Sequence, residues 1–162
     1  MIAAKTRFLE VAHVGIIAGL AGGLAEVAWI GVYGAISGVS VDLVAQGVTR
    51  SIVPSFGASS SSAWVGIFIH LILAIGLGVG VAFAIRFLLR GHNQVYAEYS
   101  LVILALGTVW TVNFLLVLPY LNPGFVDLLP YSVTLVSKLL FGVAAATVFR
   151  MERMCLVRIS RV

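Results

Sequence analysis

Four nearly unbroken apolar stretches, at about 11–36, 63–88, 101–121 and 131–149, dominate the chain and restrict what it can become. A bilayer's hydrocarbon core is about 30 Å thick and takes about 20 apolar residues of α-helix to cross. Each stretch meets that length. A backbone in lipid must satisfy its own hydrogen bonds, so segments of this kind cross as helices. Composition agrees. The chain is 61% hydrophobic and 10% charged, against roughly 45–50% apolar and about 25% charged for a typical soluble domain. Sixteen charged residues in 162 are too few to coat a soluble surface. The expected fold is all-α: one integral membrane domain over residues 1–162, built as a four-helix bundle. The first apolar stretch is much longer than the 7–15 residues of a signal-peptide core, so it is read as a retained span.

Basic residues set the orientation. Lys5 and Arg7 precede the first span, Arg86 and Arg90 close the second, and Arg150, Arg153, Arg158 and Arg161 follow the fourth. All lie on one side, and Arg50 lies on the other. The positive-inside rule puts both termini and the 89–100 connection in the cytoplasm, here of a bacterial inner membrane. The net charge of +4 is read as this topogenic excess, and no nucleic-acid partner is expected. Cys155 is the lone cysteine, so no internal disulfide and no cysteine-based metal cluster follows.

The loops are uneven. In the outer loop 37–62, Val41, Val44, Ala45, Val48 and Ile52 recur at helical spacing, with Asp42, Gln46, Thr49 and Arg50 taken as the opposite face. A short helix lying on the membrane surface is the expectation, with a partner-docking surface as the alternative. Pro54 and the run Gly57–Ser62 end it. In the loop 122–130, Asn122-Pro123-Gly124 signals a turn, and Phe125, Val126, Leu128 and Leu129 are expected to dip into the interface.

The two helical pairs share a pattern. Trp64 and Tyr131 open the second helix of each, His70-Leu71 and Lys138-Leu139 follow, then small residues, then Arg86 and Arg150. Two repeated hairpins in parallel orientation is one reading, and chance similarity between apolar helices is the other.

Ionisable groups within spans cost about 2.5–3.5 kcal/mol each on insertion scales and mark sites that need a reason. Glu26, His70 and Lys138 are of this kind, and Asn113 joins them as a strong polar group. At about 1.5 Å of rise per residue, the four fall in one layer about 10–15 Å below the outer surface, one per helix. Gly15, Gly19 and Gly22 share a face with Glu26, Ala74 and Gly78 with His70, and Gly142, Ala145 and Ala146 with Lys138, and further small residues stand at close-approach spacing. Gly15, Gly19, Gly22 and Gly23 lie in the first span, Gly76, Gly78 and Gly80 in the second, Gly142 and Ala146 in the fourth; such residues let helices approach closely. Trp29 and Trp110 lie on the faces of Glu26 and Asn113 and either wall the layer or simply pack. The layer admits three readings: a buried Glu26–Lys138 pair that fixes register, a path for protons or ions, or a ligand site. No metal is expected, since one His and one carboxylate make a poor first shell. His13 and His70 lie too far apart in depth to share a haem, and His92 falls in the cytoplasmic loop.

No hydrolase, kinase or dinucleotide motif is present, so no catalytic activity is expected. The leading expectation is a non-catalytic accessory subunit of a larger bacterial membrane complex, such as a respiratory one, with the bilayer and other membrane subunits as partners. The alternatives are a small proton, ion or solute transporter, and a lipid- or quinone-binding module; no other cofactor is expected.

Gly15-Ile16-Ile17-Ala18-Gly19 followed by Glu26, then His70-Leu71, then Leu118-Pro119, resemble the YagU-like family of small four-span bacterial inner-membrane proteins over most of the chain. The resemblance implies the four-span fold. That family often has a basic residue where this chain has Glu26 and His where it has Lys138, so no family role transfers to the polar layer.

Overall fold

The computed structural model describes residues 2–89 and 95–159, with side chains over 8–89 and 96–152. Arg90, His92 and Arg161 lie outside the described residues, as do the side chains of Lys5, Arg7, Arg153, Cys155 and Arg158. Helix α1 spans Ile2–Ser37, α2 Val41–Ile52, α3 Ser62–Leu88, α4 Val95–Val112, α5 Leu118–Leu121, α6 Pro123–Val126 and α7 Tyr131–Ile159. The described residues contain no strand. Four segments, Phe8–Ser37, Ser62–Leu88, Tyr96–Leu121 and Tyr131–Glu152, are long and apolar enough to cross a membrane. The chain is an all-α four-helix membrane bundle, with its spans close to where the hydropathy put them except that the third begins at Tyr96, five residues before the expected 101.

The third of these segments is not a plain α-helix. Pro119 has no N–H to give the carbonyl four residues back. The backbone widens into a π-helical turn over Asn113–Val117, and the Leu118 N–H reaches back to the Asn113 carbonyl. Widened turns of this kind occur preferentially at functional sites. This one begins at Asn113, a member of the polar layer.

Helix α1 packs along α3 on one side and along α7 on the other, and α4 packs on α7. Helices α3 and α4 share few contacts. The order α3–α1–α7–α4 is therefore a bent row, not a closed square. The two hairpins, α1 with α3 and α4 with α7, are unequal in consequence. The α1–α7 face is extensive, and its counterpart between α3 and α4 is nearly absent.

In the half nearer the termini the packing is close. Ala18, Val102, Leu106, Phe141 and Ala145 are fully enclosed in one cluster that joins all four long helices. Glycines permit this. A Cβ on Gly19 would lie 2.5 Å from the Ala74 carbonyl oxygen and 2.7 Å from the Ile75 Cα. One on Gly15 would lie 2.6 Å from the Val79 Cα, and one on Gly78 would collide with the backbone of Gly15 and Gly19. Gly22 makes room for the Phe141 ring, Gly23 for Ala74, and Gly142 faces Leu106; Ala146 is buried in the same cluster. Gly76 and Gly80 correct the sequence reading, because nothing approaches a Cβ on either. Successive residues turn by about 100° on a helix. With Gly78 aimed at α1, Gly76 and Gly80 lie about 200° round from it and point outward.

The half nearer α2 holds a second cluster of Val44, Phe114, Leu118, Phe125, Leu129 and Val133. Two expectations change here. Helix α2 docks on α3, so one of its faces is covered by the protein itself. Thr49, assigned to its polar face, is fully buried and donates to the Ser62 carbonyl at 2.5 Å. The apolar loop 122–130 folds inward. Phe125 packs into the groove left by Gly47, and Leu129 is buried with it. Asn122 ties the two segments together, its amide donating to the Gly47 carbonyl at 3.1 Å and to Ser51 Oγ at 3.2 Å.

Candidate functional site: a polar cluster at the base of an intramembrane cavity

Helices α1, α3 and α7 each bring one charged or titratable group to one point. Glu26 is 4% exposed. Lys138 Nζ lies 2.8 Å from its Oε1 and 3.0 Å from its Oε2, and Ser137 Oγ donates to Oε1 at 3.3 Å. An isolated buried carboxylate is unaffordable in a low-dielectric interior; one that is paired and hydrogen-bonded persists. Lys138 also stands 5.6 Å from the centroid of the Phe141 ring, a cation–π distance. Phe141 occupies the space left by Gly22, so the glycine that lets α7 approach α1 also seats the ring beside the ammonium.

His70 completes the cluster from α3. Its Nε2 lies 3.4 Å from the Gly23 carbonyl oxygen and 3.6 Å from Glu26 Oε2. The first distance is a long hydrogen bond; the second is beyond hydrogen-bond range and is an electrostatic contact. Gly23 is what lets α3 close here, since a Cβ on it would meet Ala74 at 2.7 Å. About a quarter of the His70 side chain stays exposed.

Two tryptophans hold α7 in register. Trp29 Nε1 donates to the Val133 carbonyl at 3.0 Å. Trp110 Nε1 donates to Thr134 Oγ1 at 3.0 Å, and that hydroxyl donates to the Tyr131 carbonyl at 3.0 Å. Both bonds fall one turn before Ser137 and Lys138, from α1 on one flank and α4 on the other. The tryptophans do not line the cavity; they position the helix that supplies its lysine.

Above the cluster lies a cavity of about 430 Å³ whose lining includes Glu26, His70, Asn113, Ser137 and Lys138. It occupies the space where α3 and α4 fail to meet. Val44 and Val48 of α2, Ile67 of α3, and Val109 and Phe114 on the α4 side form its apolar walls. Rim residues Leu73, Ile52 and Leu121 are more than half exposed, so the cavity opens sideways between α3 and α4. The closely packed cluster that includes Phe141 closes it toward the termini.

Asn113 is brought to the same cavity but not to the same bonds. Its side chain makes no hydrogen bond to any described residue. The four-residue layer is thus a bonded Glu26–Lys138 pair with His70 in electrostatic contact, and Asn113 facing the space beside it.

Sequence reasoning missed Ser137 as the second donor to Glu26, and Thr134 as the acceptor for Trp110. A hydroxyl residue one position from a buried lysine, and another one turn earlier, were the available signals. It also missed Glu98. With the third span begun at 101, that carboxylate counted as a loop residue, yet it is 3% exposed on α4. Among the described residues, no group of three His, Cys, Asp or Glu side chains is arranged to hold a metal ion. No family model, no curated protein and no solved structure matches the chain.

Proposed function

We propose that the protein binds a lipid-sized amphiphile within the membrane, with the polar head at the Glu26–His70–Lys138 cluster and the tail along the apolar walls. The cavity carries this reading. Its volume of about 430 Å³ falls in the ordinary range for small-molecule sites, about 300–1,000 Å³. Its wall and base match the two ends of an amphiphile, and its mouth opens toward where lipid lies. No catalytic step is assigned to it. This is the lipid- or quinone-binding alternative from the sequence, moved ahead of the others because a buried ion pair needed only for register requires no space beside it.

The setting belongs to the same proposal: a bacterial inner membrane, both termini cytoplasmic, and α2 on the outer side, following the basic residues. The YagU-like resemblance is part of it and adds no role for these side chains. The test is extraction in native lipid discs followed by mass spectrometry. A stoichiometric amphiphile with the wild-type protein, lost in Val109→Trp, which fills the cavity from α4, supports the reading. The same lipid profile in both proteins overturns it.

A second reading, docking on other membrane subunits, draws on Gly76 and Gly80, whose open outward faces suit close approach by another helix. Mass spectrometry of chains that co-purify in mild detergent tests it. A protein that runs alone, or only with itself, removes it.

A further inference from the structure

The polar groups at the cavity base restrict the head they can receive, and this inference rests on the amphiphile-binding reading above. Hydrogen-bond capacity comes first. Both Glu26 oxygens are occupied, Oε1 by Lys138 and Ser137 and Oε2 by Lys138 with His70 nearby. The carboxylate has little accepting capacity left for a ligand. Donors remain. An ammonium has three N–H bonds, and two suffice for Glu26, which leaves one for the cavity that Lys138 lines. The Asn113 amide has two further N–H bonds and no partner in the described chain. Of the charged pair, the partner with capacity to spare is thus the donor, Lys138, and the Asn113 N–H bonds stand beside it on the cavity wall.

Charge comes second. Glu26 and Lys138 cancel, and with a neutral imidazole the cluster carries no net charge. An anionic head would bring an uncompensated charge into a cavity walled by valine, isoleucine and phenylalanine. A cationic head would do the same, and would also meet a carboxylate already engaged. Unpaired charge in such surroundings is strongly disfavoured. A neutral head that accepts hydrogen bonds is not.

We infer that the ligand is a neutral amphiphile whose head presents a carbonyl oxygen to Lys138 and Asn113. Two sources share this chemistry, a quinone ring and the acyl ester of an uncharged lipid.

The test uses the full chain in dodecyl maltoside, a detergent without carbonyl groups, and four ten-carbon probes: a decyl-benzoquinone, monodecanoyl glycerol, decanoate and decyltrimethylammonium. Binding is followed by calorimetry at neutral pH. Saturable binding of either neutral carbonyl probe, at least about tenfold tighter than both charged probes, is expected. Asn113→Leu should weaken that probe by about tenfold, the scale of one lost hydrogen bond, and leave thermal unfolding unchanged, since the amide holds nothing within the chain. The stronger of the two neutral probes identifies the source. Decanoate or decyltrimethylammonium binding as tightly as the neutral probes overturns the neutral-head inference and leaves the cavity reading in place. An Asn113→Leu protein that binds the neutral probe like wild type overturns the head contact. If no probe binds, or if all bind Val109→Trp equally well, the amphiphile reading itself fails.

Discussion

The two halves of this bundle are made from the same helices, and one is filled while the other is left partly open. Toward the termini, glycines bring α1 against α3 until the backbones touch, and Phe141, Leu106 and Val102 leave no room between them. Toward α2, α3 and α4 fail to meet, and the space between them is covered only in part by α2 and Phe125. In lipid there is no hydrophobic drive between apolar helices, so association rests on close packing and on hydrogen bonds. The closed half uses the first. The open half packs closely where Gly66 meets the Ala45 backbone and Gly47 meets Phe125, and adds the second: Lys138 and Ser137 on Glu26, Trp29 on Val133, Trp110 on Thr134 and Thr49 on Ser62. A bundle held by a few polar bonds can enclose empty space, which one held by continuous contact cannot.

The largest effect expected from this contrast is in the closed half. Gly19→Leu places a side chain where even a Cβ meets the Ala74 backbone at 2.5 Å. Backbone cannot yield as a side-chain tip can, so α1 and α3 should separate. The expected outcome is loss of the wild-type elution peak in size-exclusion chromatography in mild detergent. Gly76→Leu, in the same apolar setting but facing open space, should elute like wild type. Equal behaviour of the two variants would show that the α1–α3 contact at Gly19 is not what holds the closed half together.

Next in size is the ion pair. Lys138→Met leaves Glu26 buried with only Ser137 as a hydrogen-bond donor, and breaking one side of a buried pair typically costs about 3–5 kcal/mol. Glu26→Gln combined with Lys138→Met removes both charges, and most of that loss should return. Steric trapping or denaturant unfolding in detergent measures it. A double variant no more stable than Lys138→Met alone would mean that the lysine contributes by packing on Phe141 and not by charge.

How far the site was legible follows from what each signal measures. Span positions follow from length and hydropathy, which hardly depend on neighbours. Glu26, His70 and Lys138 stood out because ionisable groups in spans are rare, and depth counting placed them together correctly. Facing was harder. Gly76, Gly78 and Gly80 alternate around α3, and only the position of α1 decides which of them packs. Thr49 lies four residues after Ala45 and so shares its face; its assignment to the polar side followed chemistry instead of angle. The burial of Phe125 depends on Gly47, seventy-eight positions earlier, and no local pattern carries that pairing. The cavity is the least legible feature, because it comes from two helices failing to meet.

The smallest effect expected tests the cover of the open half. Thr49 is buried, and its hydroxyl donates to the Ser62 carbonyl, fastening α2 to the start of α3. Thr49→Val keeps the shape and removes the donor. Hydrogen bonds within membrane proteins average about 0.6 kcal/mol and reach about 1.7 kcal/mol, so global stability should fall by about 1 kcal/mol or less. The informative readout is local. If this bond holds α2 over the cavity, amide hydrogen exchange should speed up across α2 and stay unchanged in α1 near Gly19, where packing alone holds the helix. Acceleration in both places would tie α2 to the closed half and erase the distinction between them. No acceleration in either would leave the cover to Asn122 and to the Phe125–Gly47 contact, and Asn122→Leu would then be the variant that loosens it.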